Sequence, residues 1–198
     1  MMARQREPGT RDRILDTAAR LFTEHGVRAV GMQRIVDECG CGKNLLYREF
    51  PGKDALVVAH LARIRSLWMD QVEQATAPLV DDPAAQLVAI TRLAAGQVGE
   101  VDYRGCAFRN CFTEFPDHEV GRFAADHLAD VRAHIGELTR QTGLPNPELL
   151  AERIWLVIEG MYATAAHPGG ERAGEVGVAL VAELTGTTPT TNRSQHPA

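Results

Sequence analysis

Four cysteines and seven histidines are the side chains here best suited to metal, redox or acid–base chemistry. His118, His127 and His134 fall in one stretch, with the last two separated by two helical turns on one face. No cysteine or carboxylate pair stands beside them at a zinc-ligand spacing, so no metal is expected. Cys39-Gly40-Cys41 lacks the two-residue spacer of a redox CxxC motif. Cys106 and Cys111 could form a thiol sensor, with inert buried cysteines as the competing reading. No nucleophile–base pair, phosphate-cradling loop or metal cluster stands out. Neither catalysis nor a cofactor is expected.

A different kind of site lies between residues 31 and 54. Residues 32–39 fit a short helix burying Ile35 and Val36, and residues 43–50 fit another burying Leu46 and Phe50. The second must stop before Pro51, because the residue preceding proline is pushed out of helical geometry. A small, glycine-containing turn, Cys39-Gly40-Cys41-Gly42, joins the two and permits a steep helix–helix crossing. On spacing alone this is equally a helix-turn-helix and a structural corner. Charge adds a second pointer. Residues 1–54 carry ten Lys/Arg against eight Asp/Glu, leaving eleven against eighteen in the remainder, so a +2 head precedes a −7 body. A polyanion partner for the head alone follows from that asymmetry, although the overall charge of −5 excludes a protein coated in basic groups.

The elements that must position this site are helices. With 198 residues, 44% of them hydrophobic, the chain can bury a core without disulfide or metal staples. Aromatics are only 6%, and alanine and leucine outweigh β-branched runs, which favours helices over sheets. Residues 10–25 place Ile14, Ala18 and Phe22 on one stripe, with Thr10 as the expected cap and Gly26 as the stop. Further helices are expected at 53–75, 83–101, 106–115, 119–142, 147–167 and 172–184, the fifth of these opened by an Asn146 cap and Pro147. No apolar run is long enough to span a bilayer, and residues 1–8 are polar with no apolar signal core after them. A cytoplasmic location with reduced thiols is the expectation. The Thr/Pro-rich stretch 185–198 has no periodicity and is expected to be disordered. Arg4 and Arg6 could form a DNA-reaching arm, or simply part of a disordered head.

The stretch from residue 10 to 56 resembles the DNA-binding domain of the TetR family of bacterial transcriptional regulators. The matching words are Arg13-Ile14-Leu15-Asp16-Thr17-Ala18-Ala19-Arg20-Leu21-Phe22, His25-Gly26, Ile35, Gly40, and Leu46-Tyr47-Arg48-Glu49-Phe50-Pro51-Gly52-Lys53-Asp54-Ala55-Leu56. The resemblance implies an all-α chain of about nine helices. A three-helix, helix-turn-helix DNA-binding domain (1–52) would precede a helical ligand-binding and dimerisation domain (53–184) and the tail (185–198). It implies a homodimer whose paired 43–50 helices enter successive major grooves of a palindromic operator. Gln33, Lys43, Asn44 and Leu45 occupy positions that touch bases or nearby phosphates in that family, and Tyr47, Arg48 and Lys53 those that grip the backbone; Arg34 is a further DNA-binding candidate. Gly31 and Gly42 depart from the Ser or Thr usual there, removing cap and phosphate-bonding hydroxyls, and Leu45 replaces a small or polar residue.

For the body, the resemblance implies a repressor released from DNA by a small apolar or aromatic effector. Candidate pocket walls are Trp68, Phe108, Phe112, Phe115, Trp155, Met161 and Tyr162, with His127 as a polar handle; core packing is the competing reading for each. The apolar pair 149–167 and 172–184 would build the dimer interface, with Gly160, Ala163, Ala173, Gly177 and Ala179 allowing close approach. The alternative is a redox-responsive regulator sensing through Cys106 and Cys111.

Overall fold

A computed structural model describes residues 9–100 and 103–187, and it is helical as expected. In order, α1 (Thr10–His25), α2 (Met32–Cys39), α3 (Lys43–Glu49), α4 (Lys53–Thr76), a 3-10 turn (Ala77–Leu79), α5 (Pro83–Val98), α6 (Ala107–Glu114), α7 (Glu119–Gln141), α8 (Pro147–Ala165) and α9 (Ala173–Thr185) follow one another. Among the described residues no strand forms, and no helix is long and apolar enough to cross a membrane. Most of the expected arm at Arg4 and Arg6 and of the 185–198 tail lies outside the described residues.

The chain divides into two compact units. The first holds described residues 9–67 together with Cys106–Leu128, and the second the remainder. This division differs from the one expected at residues 52/53, and the core shows why. Ile14, Leu21, Ile35, Leu46 and Phe50 of the first three helices share one buried cluster with Leu56, Val57 and Leu61 of α4. Phe108 and Cys111 of α6 and Val120 and Ala124 of α7 complete that cluster.

Local signals explain the helix limits in this unit. Gly26 at φ 79° closes α1, its N–H donating to Phe22 O at 2.9 Å. Gly40, left-handed at φ 62°, closes α2. Phe50 is extended at φ −138°, as its position before Pro51 requires. Thr10 is not the cap of α1: Gly9 precedes the helix, and the Thr10 hydroxyl is buried without a partner. Asn146 likewise precedes α8 in a left-handed conformation, and its side chain makes no capping bond.

Several contacts fasten α6 to the first helices. Arg28 Nη2 donates to Glu114 O at 2.9 Å, and its guanidinium lies 5.5 Å from the centre of the Phe115 ring. Gly121 in α7 passes directly against Phe115 O, leaving no room for a side chain. His60 of α4 is buried edge-on to Phe22, ring centres 5.5 Å apart. Its pKa falls from the ordinary 6.5 to about 4, through burial first and the nearby Arg63 second.

In the second unit α9 packs against both α5 and α8. A Cβ on Gly174 would sit 3.0 Å from Ala95 Cβ, so the missing side chain sets the α5–α9 approach. Gly177, expected to let two copies approach, instead accommodates Met161 of its own chain. Met161 is buried and packs across the α8–α9 pair. Gly160, by contrast, faces open space.

Two measurements test this packing. In urea denaturation Gly121→Ala should cost about 2 kcal/mol or more, because backbone stands where the methyl must go. Gly136→Ala in the same helix, whose nearest neighbour would be Arg140 Nη1 at 3.8 Å, should instead stabilise by about 0.5–1 kcal/mol. For His60 the folded pKa lies below the unfolded one, so the unfolded chain takes up the proton first as pH falls. Stability present above pH 6.5 should therefore be lost towards pH 4, by up to about 3 kcal/mol. His60→Leu should flatten that part of the urea-midpoint profile.

Candidate nucleic-acid interface

The site begins with a helix that has two unlike faces. Leu46 and the following Phe50 are buried, while Lys43, Asn44, Tyr47 and Arg48 are exposed. Spacings of one, three and four residues place those four side chains on one side of α3. Tyr47 is 42% exposed, a large aromatic presented to solvent together with its phenol. Leu45 sits between the faces, half-buried against the core.

Neither helix of the pair has a side-chain cap. Gly31 and Gly42 occupy the N-cap positions in extended conformation, making no side-chain bond. Leu45 N–H and Leu46 N–H both reach Gly42 O, at 2.8 and 3.1 Å. Glycine caps are only a few tenths of a kcal/mol poorer than serine ones, so both helices form without hydroxyls.

The turn between them corrects the expectation for its cysteines. Cys39 and Cys41 are joined by a disulfide, where two separate reduced thiols were expected. Left-handed Gly40 folds the chain back and sets their Cα atoms 5.3 Å apart, inside the range a disulfide requires. Residue spacing conceals this; the signal was a glycine able to adopt positive φ between the two cysteines.

On α2, Gln33 and Arg34 are exposed beside α3's sequence neighbours, but both are engaged. Gln33 Nε2 donates to Asp37 Oδ1 at 2.9 Å, and Arg34 Nη2 lies 2.7 Å from His25 Nε2. A bidentate contact from Gln33 to an adenine edge would require giving up the Asp37 bond. Lys53 is more tightly held. Its Nζ donates to Arg28 O at 3.0 Å, and burial holds its pKa below the ordinary value. This lysine closes the loop after α1, a structural role the sequence did not disclose. Arg48 keeps Glu49 within 3.7 Å of its Nε.

The expected effector contacts divide between the units. In the first, Phe108 and His127 are buried and stacked, ring centres 3.9 Å apart. Phe115 is half-buried beneath Arg28, while Phe112 is 46% exposed. In the second, Tyr162 OH donates to Gln97 Oε1 at 2.6 Å, and Tyr103 OH donates to Tyr162 O at 3.0 Å. Trp68 and Trp155 are half-buried. Tyr103 and Gln97 were missed in the sequence because their link to Tyr162 spans 59 and 65 positions. Cys111 is buried, and its thiol is pushed up to about 12, chiefly by burial and then by Glu114 and Cys106. That leaves almost no thiolate near neutrality and speaks against Cys111 as a sensor.

Comparison with known proteins matches this geometry. Residues 14–60 fit the family model of bacterial regulatory proteins, tetR family. An HTH-type transcriptional regulator of Mycobacterium tuberculosis is 36% identical over 80 residues. The HTH-type regulator YxaF of Bacillus subtilis is 46% identical over 50 residues, a quarter of this chain and 26% of that protein. The chain spans only about two fifths of the length of the mycobacterial relative, 40%, and the match takes in 40% of this chain. Likeness over nearly the whole chain comes from a TetR-family transcriptional regulator of Streptomyces coelicolor. Its crystal structure superposes with a TM-score of 0.81 at 28% identity, covering 88% of this chain and 93% of that one. Residues 14–60 thus carry the family segment of the tetR bacterial regulatory proteins, and the chain as a whole shares the fold of the Streptomyces coelicolor TetR-family regulator.

Proposed function

We propose that this protein is a sequence-specific DNA-binding transcriptional regulator, acting as a homodimer that represses from a palindromic operator. The observation that carries the reading is the division of α3, with Leu46 and Phe50 locked inward and Lys43, Asn44, Tyr47 and Arg48 outward. A helix of this width fits the major groove, where Lys43 can reach guanine acceptors and a Leu45 methyl can meet a thymine methyl. Tyr47 supplies a phenol donor, and Arg48 a fork, for backbone phosphates. Gln33 and Arg34 join them from α2, and Lys53 contributes charge while tied to Arg28 O.

Support for pairing comes from the outer face of α8 and α9. Leu149 (49% exposed) and Leu156 (67%) stand two turns apart on α8, and Val176 (47%) and Leu180 (42%) one turn apart on α9. Four large apolar side chains in two helical stripes, with open Gly160 beside them, suit burial against a second copy. Two such pairs would form a four-helix interface between the copies.

Release by a small apolar or aromatic effector is part of the same proposal. The Phe108–His127 stack and the Tyr103–Tyr162–Gln97 chain offer aromatic faces and polar handles of the required kind. Trp68, Phe112, Phe115, Trp155 and Met161 are the further proposed contacts. An effector acts only through different affinity for the two states, and a near-complete switch takes on the order of 5 kcal/mol.

Gel shift against the DNA upstream of its own gene should give salt-sensitive binding, with log affinity falling linearly against log salt. Tyr47→Phe should weaken operator and random DNA alike. Lys43→Ala should cost about 1–3 kcal/mol on the operator, with a selective loss at one base position if it reads guanine. Unchanged affinity in both variants would overturn this assignment of α3. Leu156→Arg, at an exposed position, should convert dimer to monomer in sedimentation velocity and lower operator affinity at least about tenfold, since half the contacts are lost. A dimer that survives this change would move the interface elsewhere.

A further inference from the structure

The disulfide in the reading head has no evident structural need. It closes a ring over the single residue Gly40. Shorter loops remove less entropy from the unfolded chain, so this bond is poorly placed as a staple for the fold. The core beneath it is already complete without it, through Ile35, Leu46 and Phe50. Its position, however, is specific. Cys39 is the last residue of α2, and Cys41 lies two residues before Lys43, the first residue of α3. Between Cys41 and that first turn stands only Gly42, which offers no side-chain cap.

Access is equally uneven. Cys41 is buried, whereas Cys39 is half-buried beside exposed Gly40. Cys39 is therefore the less buried partner of the bond. We propose that the Cys39–Cys41 pair is a thiol–disulfide exchange site, reduced by small dithiols or a CxxC dithiol protein, whose state sets the order of the first turn of α3.

The exchange balances without further reagents. A thiolate of the external dithiol attacks Cys39 Sγ, forming a mixed disulfide, and Cys41 Sγ leaves as the thiolate and takes a proton. The second thiol of the reductant then attacks its own mixed-disulfide sulfur and releases Cys39 as a thiol. The protein disulfide gains two electrons and two protons, and the external dithiol becomes a disulfide. With the bond open, the turn keeps left-handed Gly40 and buried Cys41 but loses the covalent clamp on α3. A surface ordered in advance binds more tightly than one that must be ordered on contact, so the oxidised form should be the better DNA reader.

The inference concerns Cys39 and Cys41, independently of Cys106 and Cys111, and its DNA arm rests on the regulator reading above. The full chain carrying Cys106→Ser and Cys111→Ala would be poised in glutathione buffers and counted for free thiols. Two thiols should disappear together on oxidation and return with dithiothreitol. Amide exchange at residues 43–46 should be roughly tenfold faster in the reduced form. Binding to its upstream DNA and to mixed-sequence duplex should be roughly three- to tenfold weaker when reduced. Cys39→Ser, a change at the half-exposed position, should abolish every dependence on redox state. Two thiols reactive at all glutathione ratios would overturn the proposal, as would an oxidised pair whose residues 43–46 exchange no more slowly. Absence of DNA binding in both states would count against the regulator reading instead, leaving thiol counting and amide exchange to decide this one.

Discussion

A helix of seven residues has no stability of its own in water, and everything proposed for α3 depends on how it is held. Two side chains do most of that work. Leu46 and Phe50 are almost fully removed from solvent in the same cluster as Ile14, Leu21 and Ile35. Their burial fixes the rotation of the helix about its axis, and so decides that Lys43, Asn44, Tyr47 and Arg48 look outward. Hydrophobic burial here serves as an aiming device for polar groups.

That same cluster runs past the boundary expected at residues 52/53. The buried cluster that holds Leu46 and Phe50 extends beyond the first three helices into the first part of α4, α6 and the start of α7. Arg28 strengthens the join by bonding Glu114 O and covering Phe115, while Lys53 closes the loop that carries Arg28. A side chain that looked like a phosphate contact thus contributes first to the scaffold of the head.

Helix positions were legible in the sequence because they rest on local rules. Pro51 stops α3, Gly40 stops α2, and the apolar spacing in α1 selects its buried face, all within a few residues of one another. Partnerships across long separations were not legible. Tyr103 with Tyr162, Arg28 with Glu114 and Gly177 with Met161 join residues that no periodicity relates. Caps were misjudged where a competing residue was available: Gly9 rather than Thr10 precedes α1, because the threonine is drawn into the helix and buried. The exposed side of α3 was legible as a surface, through the family's motif words, but the engagement of Gln33 by Asp37 and of Arg34 by His25 depended on side-chain geometry.

Glycine at both helix starts has one more outcome. From Gly31 to Leu56 the chain carries no serine or threonine, and the phenol of Tyr47 is its sole hydroxyl. Kinases acting on aliphatic alcohols therefore find no acceptor in that segment. An enzyme that esterified this ring would place roughly two negative charges where a phosphate must approach. Between residues 31 and 56, hydroxyl phosphorylation has a single address, and it is an aromatic one.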